Sequence, residues 1–116
     1  METTQTTISY DDFAKLDLRV ATIVEAAAIE KSKKLIRLQI DLGSERRQIL
    51  AGIKEHYAPD QLVGRQIIVI ANLAPREVIK GETSYGMLLA ANDTPKNRVV
   101  LLTPSADAVA PGSKVS

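Results

Sequence analysis

The sequence predicts an all-β domain: a small closed or nearly closed barrel with one or two short helices. Three observations carry that expectation. Apolar residues recur at every second position in several short stretches bounded by Gly, Pro, Asn and Asp, as half-buried strands require. No long helical pattern separates these stretches, so the crossover helices of a parallel sheet are missing and the strands must pair antiparallel. The chain has 116 residues, 45% of them hydrophobic, which suffices for one core and leaves no room for a second domain.

Taken in order, residues 1–7 read as a flexible N-terminal tail and residues 8–116 as the domain. Ser9-Tyr10-Asp11-Asp12 before Phe13 matches an N-cap with an acidic residue three positions on, so a single helical turn precedes the barrel. In LDLRVATIVE, Leu18, Val20, Thr22 and Val24 fall on one side and Arg19, Ala21, Ile23 and Glu25 on the other, which makes a first strand. KLIRLQIDLG alternates more cleanly, with Ile36, Leu38, Ile40 and Leu42 facing one way and Arg37, Gln39 and Asp41 the other. Gly43-Ser44-Glu45 then turns the chain into RRQILAGI, giving a hairpin with Arg46 and Arg47 near its tip.

KEHYAPDQLVG holds Pro59 and Gly64 and lacks alternation, so a short helix or turn is expected before the buried strand RQIIVIANL. A polar excursion follows, from a Pro75-Arg76 corner through Lys80, Gly81 and Ser84, and leads past Gly86 into an apolar strand at Met87 to Ala91. RVVLLTP forms the last predicted strand, and residues from about 93 to 116 read as a C-terminal extension. Short strands with a small helix between the third and fourth match the five-stranded OB barrel. In that architecture ligands meet the face of the second and third strands and the loops joining strands one to two and four to five. Here the first of these loops carries Lys31, Lys33 and Lys34, and the second carries Arg76, Lys80 and Ser84. Arg37, on the solvated side of the second strand, extends the same patch, so a polyanion footprint follows from fold and charge placement together.

Composition narrows the partners. Fifteen basic residues against fourteen acidic ones give a net charge of +1, so a polyanion must be held by clustered charge and not by the field of the whole molecule. One Phe, three Tyr and no Trp leave few rings for a protein that reads single strands by stacking alone. The absence of Cys removes disulfides and thiolate metal sites and points to a cytoplasmic setting. No apolar run reaches the roughly 18 residues of a membrane span, and the start METTQTTISY lacks a signal peptide's cationic and apolar regions. The lone His56 has no spacing to a nucleophile or second ligand, Asp11-Asp12 suits a helix start, and no phosphate loop, HExxH or GxSxG string occurs. The expectation is a protein that is not an enzyme and needs no metal or cofactor.

In order along the chain, FAKLDLRVATIVEA, KLIRLQIDLG, RRQILAGI, LVGRQIIVIANLAPRE and GMLLAA resemble the tRNA-binding domain of the OB type. The resemblance covers about Ile8 to the end and is greatest to the C-terminal domain or β subunit of bacterial methionyl-tRNA synthetase and to free-standing tRNA-binding proteins, with endothelial-monocyte-activating polypeptide II more distant. It implies an OB barrel that grips the outside corner of tRNA by shape, as a homodimer formed with help from the C-terminal extension, with an aminoacyl-tRNA synthetase as a further partner. It also implies binding residues at Lys34, Asn72, Arg76, Ser84 and Met87. The chain departs from the family pattern where IEKSKK replaces a histidine-proline and acidic residues, and where Glu77 stands in place of a basic residue.

By chemistry alone, Asn72 and Ser84 are as apt to satisfy backbone at a strand end as to touch a ligand, and Met87 as apt to fill core. A sister group with the same fold acts in protein export as a chaperone, so the rival expectation is a module that holds unfolded polypeptides in an exposed apolar groove.

Overall fold

Strict alternation makes β2 (Ile36–Asp41) the reference strand of the fold: Ile36, Leu38 and Ile40 are essentially fully buried, while Arg37, Gln39 and Asp41 are partly exposed. The architecture comes from a computed structural model, which describes residues 6–116. The tail expected over 1–7 therefore lies, as far as residue 5, outside the described residues. The expected helical turn is α1 (Tyr10–Ala14), capped by Ser9, whose hydroxyl accepts from the Asp12 N–H at 3.1 Å while the Asp12 carboxylate accepts from the Ser9 N–H.

β1 (Leu18–Ala28) is the strand on which the barrel turns. Its first half pairs antiparallel with β4 (Gln66–Ile70) and its second half with β2. A bulge between Ile23 and Glu25 inserts one residue, which reverses the inward parity: Ala21 and Ile23 enter the core before it, and Ala26 packs on the core after it. The single alternation read from the sequence therefore holds only as far as Ile23. Leu18 and Val20, on the other face, are buried as well.

The predicted hairpin joins β2 to β3 (Arg46–Ala51), with Asp41 opposite Arg46 and Gly43 at a φ of 87° in the turn. α2 (Pro59–Leu62) follows, and it drives Leu62 fully into the core among Ile23, Ile36, Leu38, Ile40, Ile49 and Ile67. Each such side chain contributes about 1.5–3 kcal/mol relative to exposure.

Two sequence expectations need revision beyond β4. The polar excursion is itself a hairpin, β5 (Arg76–Ile79) with β6 (Glu82–Ser84), turned by Gly81 at a φ of 85°. The strand expected over Met87 to Ala91 breaks at Leu89 into β7 (Met87–Leu88), which pairs with β4, and β8 (Ala90–Asp93), which pairs with β9 (Arg98–Leu101). Leu89 is the pivot, its N–H bonded to Ile68 O and its carbonyl to Leu102 N–H.

The main sheet runs β3-β2-β1-β4-β7. Its open seam is sewn by bonds from β6 and the residue that follows it: Tyr85 N–H to Gln48 O at 3.0 Å, Leu50 N–H to Ser84 Oγ at 2.9 Å, and Gln48 Nε2 to Thr83 O at 3.0 Å. The result is a nearly closed, mostly β barrel of the OB type.

The C-terminal segment lies on its own barrel. Gln66 holds the backbone of Val109 by both amide atoms, and β10 (Lys114–Val115) pairs with Leu18 and Arg19 of β1. Gly112 passes so close to β2's end that a Cβ there would lie 2.2 Å from Leu42 O, and one on Gly43 would lie 2.6 Å from Pro111 O. Only glycine permits that approach on both sides.

Candidate nucleic-acid interface

The loop between β1 and β2 and the β5–β6 hairpin meet at one mouth of the barrel. Beneath them Ile29, Leu35 and Leu50 form a small second core, onto which Val78 and Ile79 of the hairpin pack. Above it the Lys31 ammonium donates to the Lys80 carbonyl at the hairpin tip. Apolar burial thus fixes the position of the hairpin, and the lysine ties its end to the facing loop.

That loop has internal bracing. Ser32 Oγ accepts from the N–H groups of Lys34 and Leu35, both at 3.1 Å, and Lys54 Nζ donates to the carbonyls of Ile29 and Ser32 at 3.0 and 2.8 Å. Lys33 and Lys34 stand exposed from this braced backbone, and their ammonium groups have no hydrogen-bond partner among the described residues. The Lys80 ammonium and the Arg76 guanidinium are exposed in the same way.

Arg37 differs from the expectation of a free cation. Its Nε and Nη2 grip the Glu82 carboxylate at 3.1 and 2.5 Å, a two-pronged pair across to the hairpin. The hydrogen bond from Arg37 holds the Glu82 carboxyl below the usual range; burial opposes this, and the charges of Arg37 and Lys31 add to it. Arg37 therefore docks the hairpin and adds little net positive charge. Glu77 is spent similarly, accepting from the Gly81 N–H at 3.0 Å and closing the tip.

Asn72 and Ser84 both make tertiary bonds. Asn72 Oδ1 accepts from Asp17 N–H at 2.9 Å and its Nδ2 donates to Lys15 O at 2.6 Å, joining the end of β4 to the α1–β1 connection. It is exposed and keeps one N–H and one lone pair. Ser84 is 5% exposed; its hydroxyl accepts from Leu50 N–H and donates to Gly86 O at 2.8 Å, so both of its bonding directions are turned inward. Met87 is 43% exposed, on the outer side of its strand.

Two hollows flank the Leu73-Ala74 segment. One, of about 330 Å³, lies under the hairpin, with Leu50, Ile53 and Val99 on its floor and Arg76, Met87 and Asn92 among its lining. The other, of about 450 Å³, is bounded by Glu45, Arg47, Asn72, Pro75 and Tyr85. Arg47, Lys54, Leu73, Tyr85 and Asn92 were not among the binding residues expected from the sequence. Arg47 pairs locally with Glu45 and bonds the Ala71 and Tyr85 carbonyls, the latter two being contacts between distant segments that leave no mark in local spacing. Among the described residues no cluster of His, Cys, Asp and Glu is placed to hold a metal, and no helix is long and apolar enough to cross a membrane.

An OB-type barrel whose two ligand loops converge with exposed cations is the architecture of a nucleic-acid-binding domain. The chain belongs to the tRNA-binding domain family: the family model described as "Putative tRNA binding domain" matches residues 18–114. It is 52% identical over 112 residues to the methionine–tRNA ligase of Thermotoga maritima, covering 97% of this chain and 17% of that protein. It is 54% identical over 95 residues to the enzyme of the same name from Methanococcoides burtonii, covering 81% of this chain and 14% of that protein. The chain thus spans only a small part of the length of these relatives. Among solved structures it superposes on a MetRS-related protein from Pyrococcus horikoshii with a TM-score of 0.87 at 33% identity, covering 97% of this chain and 100% of that one. It superposes on the chaperone CsaA from Bacillus anthracis with a TM-score of 0.86, also at 33% identity, covering 96% and 100%.

Proposed function

We propose that this chain is a non-catalytic module that binds folded tRNA by shape and phosphate contacts. It acts in the cytoplasm as a homodimer, either as the tRNA-binding part of a methionyl-tRNA synthetase or as a free-standing protein. The observation that supports this reading most directly is the contact of Lys31 with the Lys80 carbonyl above the shared apolar base, which brings two cationic loops onto one surface. Lys31, Lys33, Lys34, Arg76 and Lys80 neutralise phosphates and release counterions. Asn72 offers its remaining amide capacity, Met87 packs on a sugar or base face, and Arg37 and Ser84 act by holding the hairpin and closing the seam. The module raises tRNA concentration near a synthetase without performing chemistry. Residues 93–116 contribute the dimer surface through the exposed Val100 and Leu102.

Binding of labelled bulk tRNA across a salt series tests the reading. About five phosphate contacts give a log–log slope near −4, or about a 250-fold loss of affinity between 50 and 200 mM salt. Absent or salt-indifferent binding refutes it.

A second reading is supported by the likeness to CsaA and by the 330 Å³ hollow with Leu73 and Met87 exposed at its rim. On that reading the hollow holds apolar segments of unfolded chains. Capture of a denatured client together with indifference to tRNA would favour it.

A further inference from the structure

The three tyrosines have different surroundings. Tyr57 lies under the Arg65 guanidinium at 5.5 Å and its hydroxyl accepts from Leu101 N–H, so both its face and its edge are engaged. Tyr10 sits on the N-terminal helical turn beside Phe13. Tyr85 is 45% exposed, and its hydroxyl has no partner among the described residues. Its backbone, by contrast, is fixed: its N–H bonds Gln48 O at 3.0 Å and its carbonyl accepts from Arg47 Nη1 at 3.2 Å. A ring left free on an anchored backbone loses little conformational entropy when something stacks on it.

The hollow beside Tyr85 has apolar walls in Leu73 and Pro75 and a polar edge at Asn72. Leu73 is 43% exposed. Arg76 follows Pro75 directly and lines the neighbouring hollow, with no ion-pair partner among the described residues, whereas the Glu45 charge is taken up by Arg47 at 2.7 Å. An apolar shelf with a ring face, a free amide and a neighbouring cation matches the parts of one nucleotide: base face, base edge and phosphate.

We propose that Tyr85, with Leu73 and Pro75, is a stacking shelf for a single exposed nucleobase of the bound tRNA, with Asn72 at the base edge and Arg76 at its phosphate. This rests on the tRNA-binding reading and adds to it one non-electrostatic contact. Most of the interface takes hold of the backbone, and the shelf responds to whether a base face is presented at this distance from the cationic loops.

The test compares wild type, Tyr85→Phe and Tyr85→Ala in binding bulk tRNA over the same salt series. Stacking predicts about a tenfold loss for Tyr85→Ala at every salt concentration with an unchanged slope, and a loss within about twofold for Tyr85→Phe. Lys33→Gln, by contrast, lowers the slope by about one. Melting temperatures of the Tyr85 variants stay within a few degrees of wild type, because Tyr85 is 45% exposed and its hydroxyl is bonded to nothing among the described residues. The chain has no tryptophan, so Tyr85→Trp supplies a unique fluorophore, whose emission is quenched on saturation with tRNA when a base stacks on it.

Unchanged affinity in Tyr85→Ala, a loss in Tyr85→Phe equal to that in Tyr85→Ala, or indole emission from Tyr85→Trp that stays unquenched at saturation overturns the shelf while leaving the tRNA reading intact. Failure of the wild type to bind tRNA overturns both.

Discussion

Ser84 shows how one side chain can close a barrel. Its hydroxyl satisfies the buried Leu50 N–H, so Ser84→Ala leaves a donor with no acceptor. The expected cost is about 1–3 kcal/mol, read as a fall of several degrees in melting temperature. An unchanged melting temperature would show that water or a shifted neighbour takes the place of the hydroxyl. Glu82 gives a pH signature. Its carboxyl is held below the usual range in the folded state by Arg37, so the stability it adds is present in full above the ordinary glutamate value of about 4.3 and is lost as pH falls through the depressed one. Glu82→Gln is therefore less stable than wild type at pH 7, and the difference shrinks in urea melts carried progressively below the ordinary glutamate range. A difference that persists there would point to packing and not to charge. Neither the bonds of Asn72 nor the one Ser84 accepts from Leu50 could be assigned from the sequence, because those partners lie 34 to 57 residues away and nothing in the local pattern encodes them.

At the scale of elements, β2 and its hairpin were legible because one face alternates without interruption and the turn contains the glycine it needs. β1 was legible as a strand but not in its facing, since the bulge near Val24 reverses parity within an unbroken apolar run. The β5–β6 hairpin escaped notice because its strands are four and three residues long and polar outside Val78 and Ile79. Those two half-buried side chains are the anchor. Val78→Ala with Ile79→Ala removes about 1 kcal/mol each, enough to raise amide exchange through residues 76–84 while β1, β2 and β4 keep wild-type protection. Binding of tRNA weakens in parallel. Uniform acceleration of exchange over the whole sheet would mean that the hairpin is part of one cooperative unit with the barrel.

For the molecule as a whole, the sequence located the two cationic loops but could not show that they touch. The resemblance assigned residues from about 93 onward to the dimer, while their apolar positions suit closure of this barrel equally well. Leu101 is in the core and β9 pairs with β8, so removing everything from Arg98 onward would damage the barrel itself and say little about assembly. Val100 and Leu102, 36% and 43% exposed, offer a better probe. The double variant Val100→Asp, Leu102→Asp should run as a monomer by light scattering while keeping a cooperative melt, and bind tRNA more weakly through lost avidity. Wild-type protein that already scatters as a monomer would remove the homodimer from the proposal.

The pairing of β10 with Leu18 and Arg19 joins residues from nearly opposite ends of the described chain. Closing so long a span is entropically unfavourable before the core exists, so this ladder belongs among the last steps of folding. Until it forms, the early part of β1 has an unclaimed edge of N–H and C=O groups, open to a strand from another copy. The Gly43–Gly112 crossing then sets the moment at which the molecule stops being sticky, and refolding yield should drop with rising protein concentration for as long as that crossing stays open.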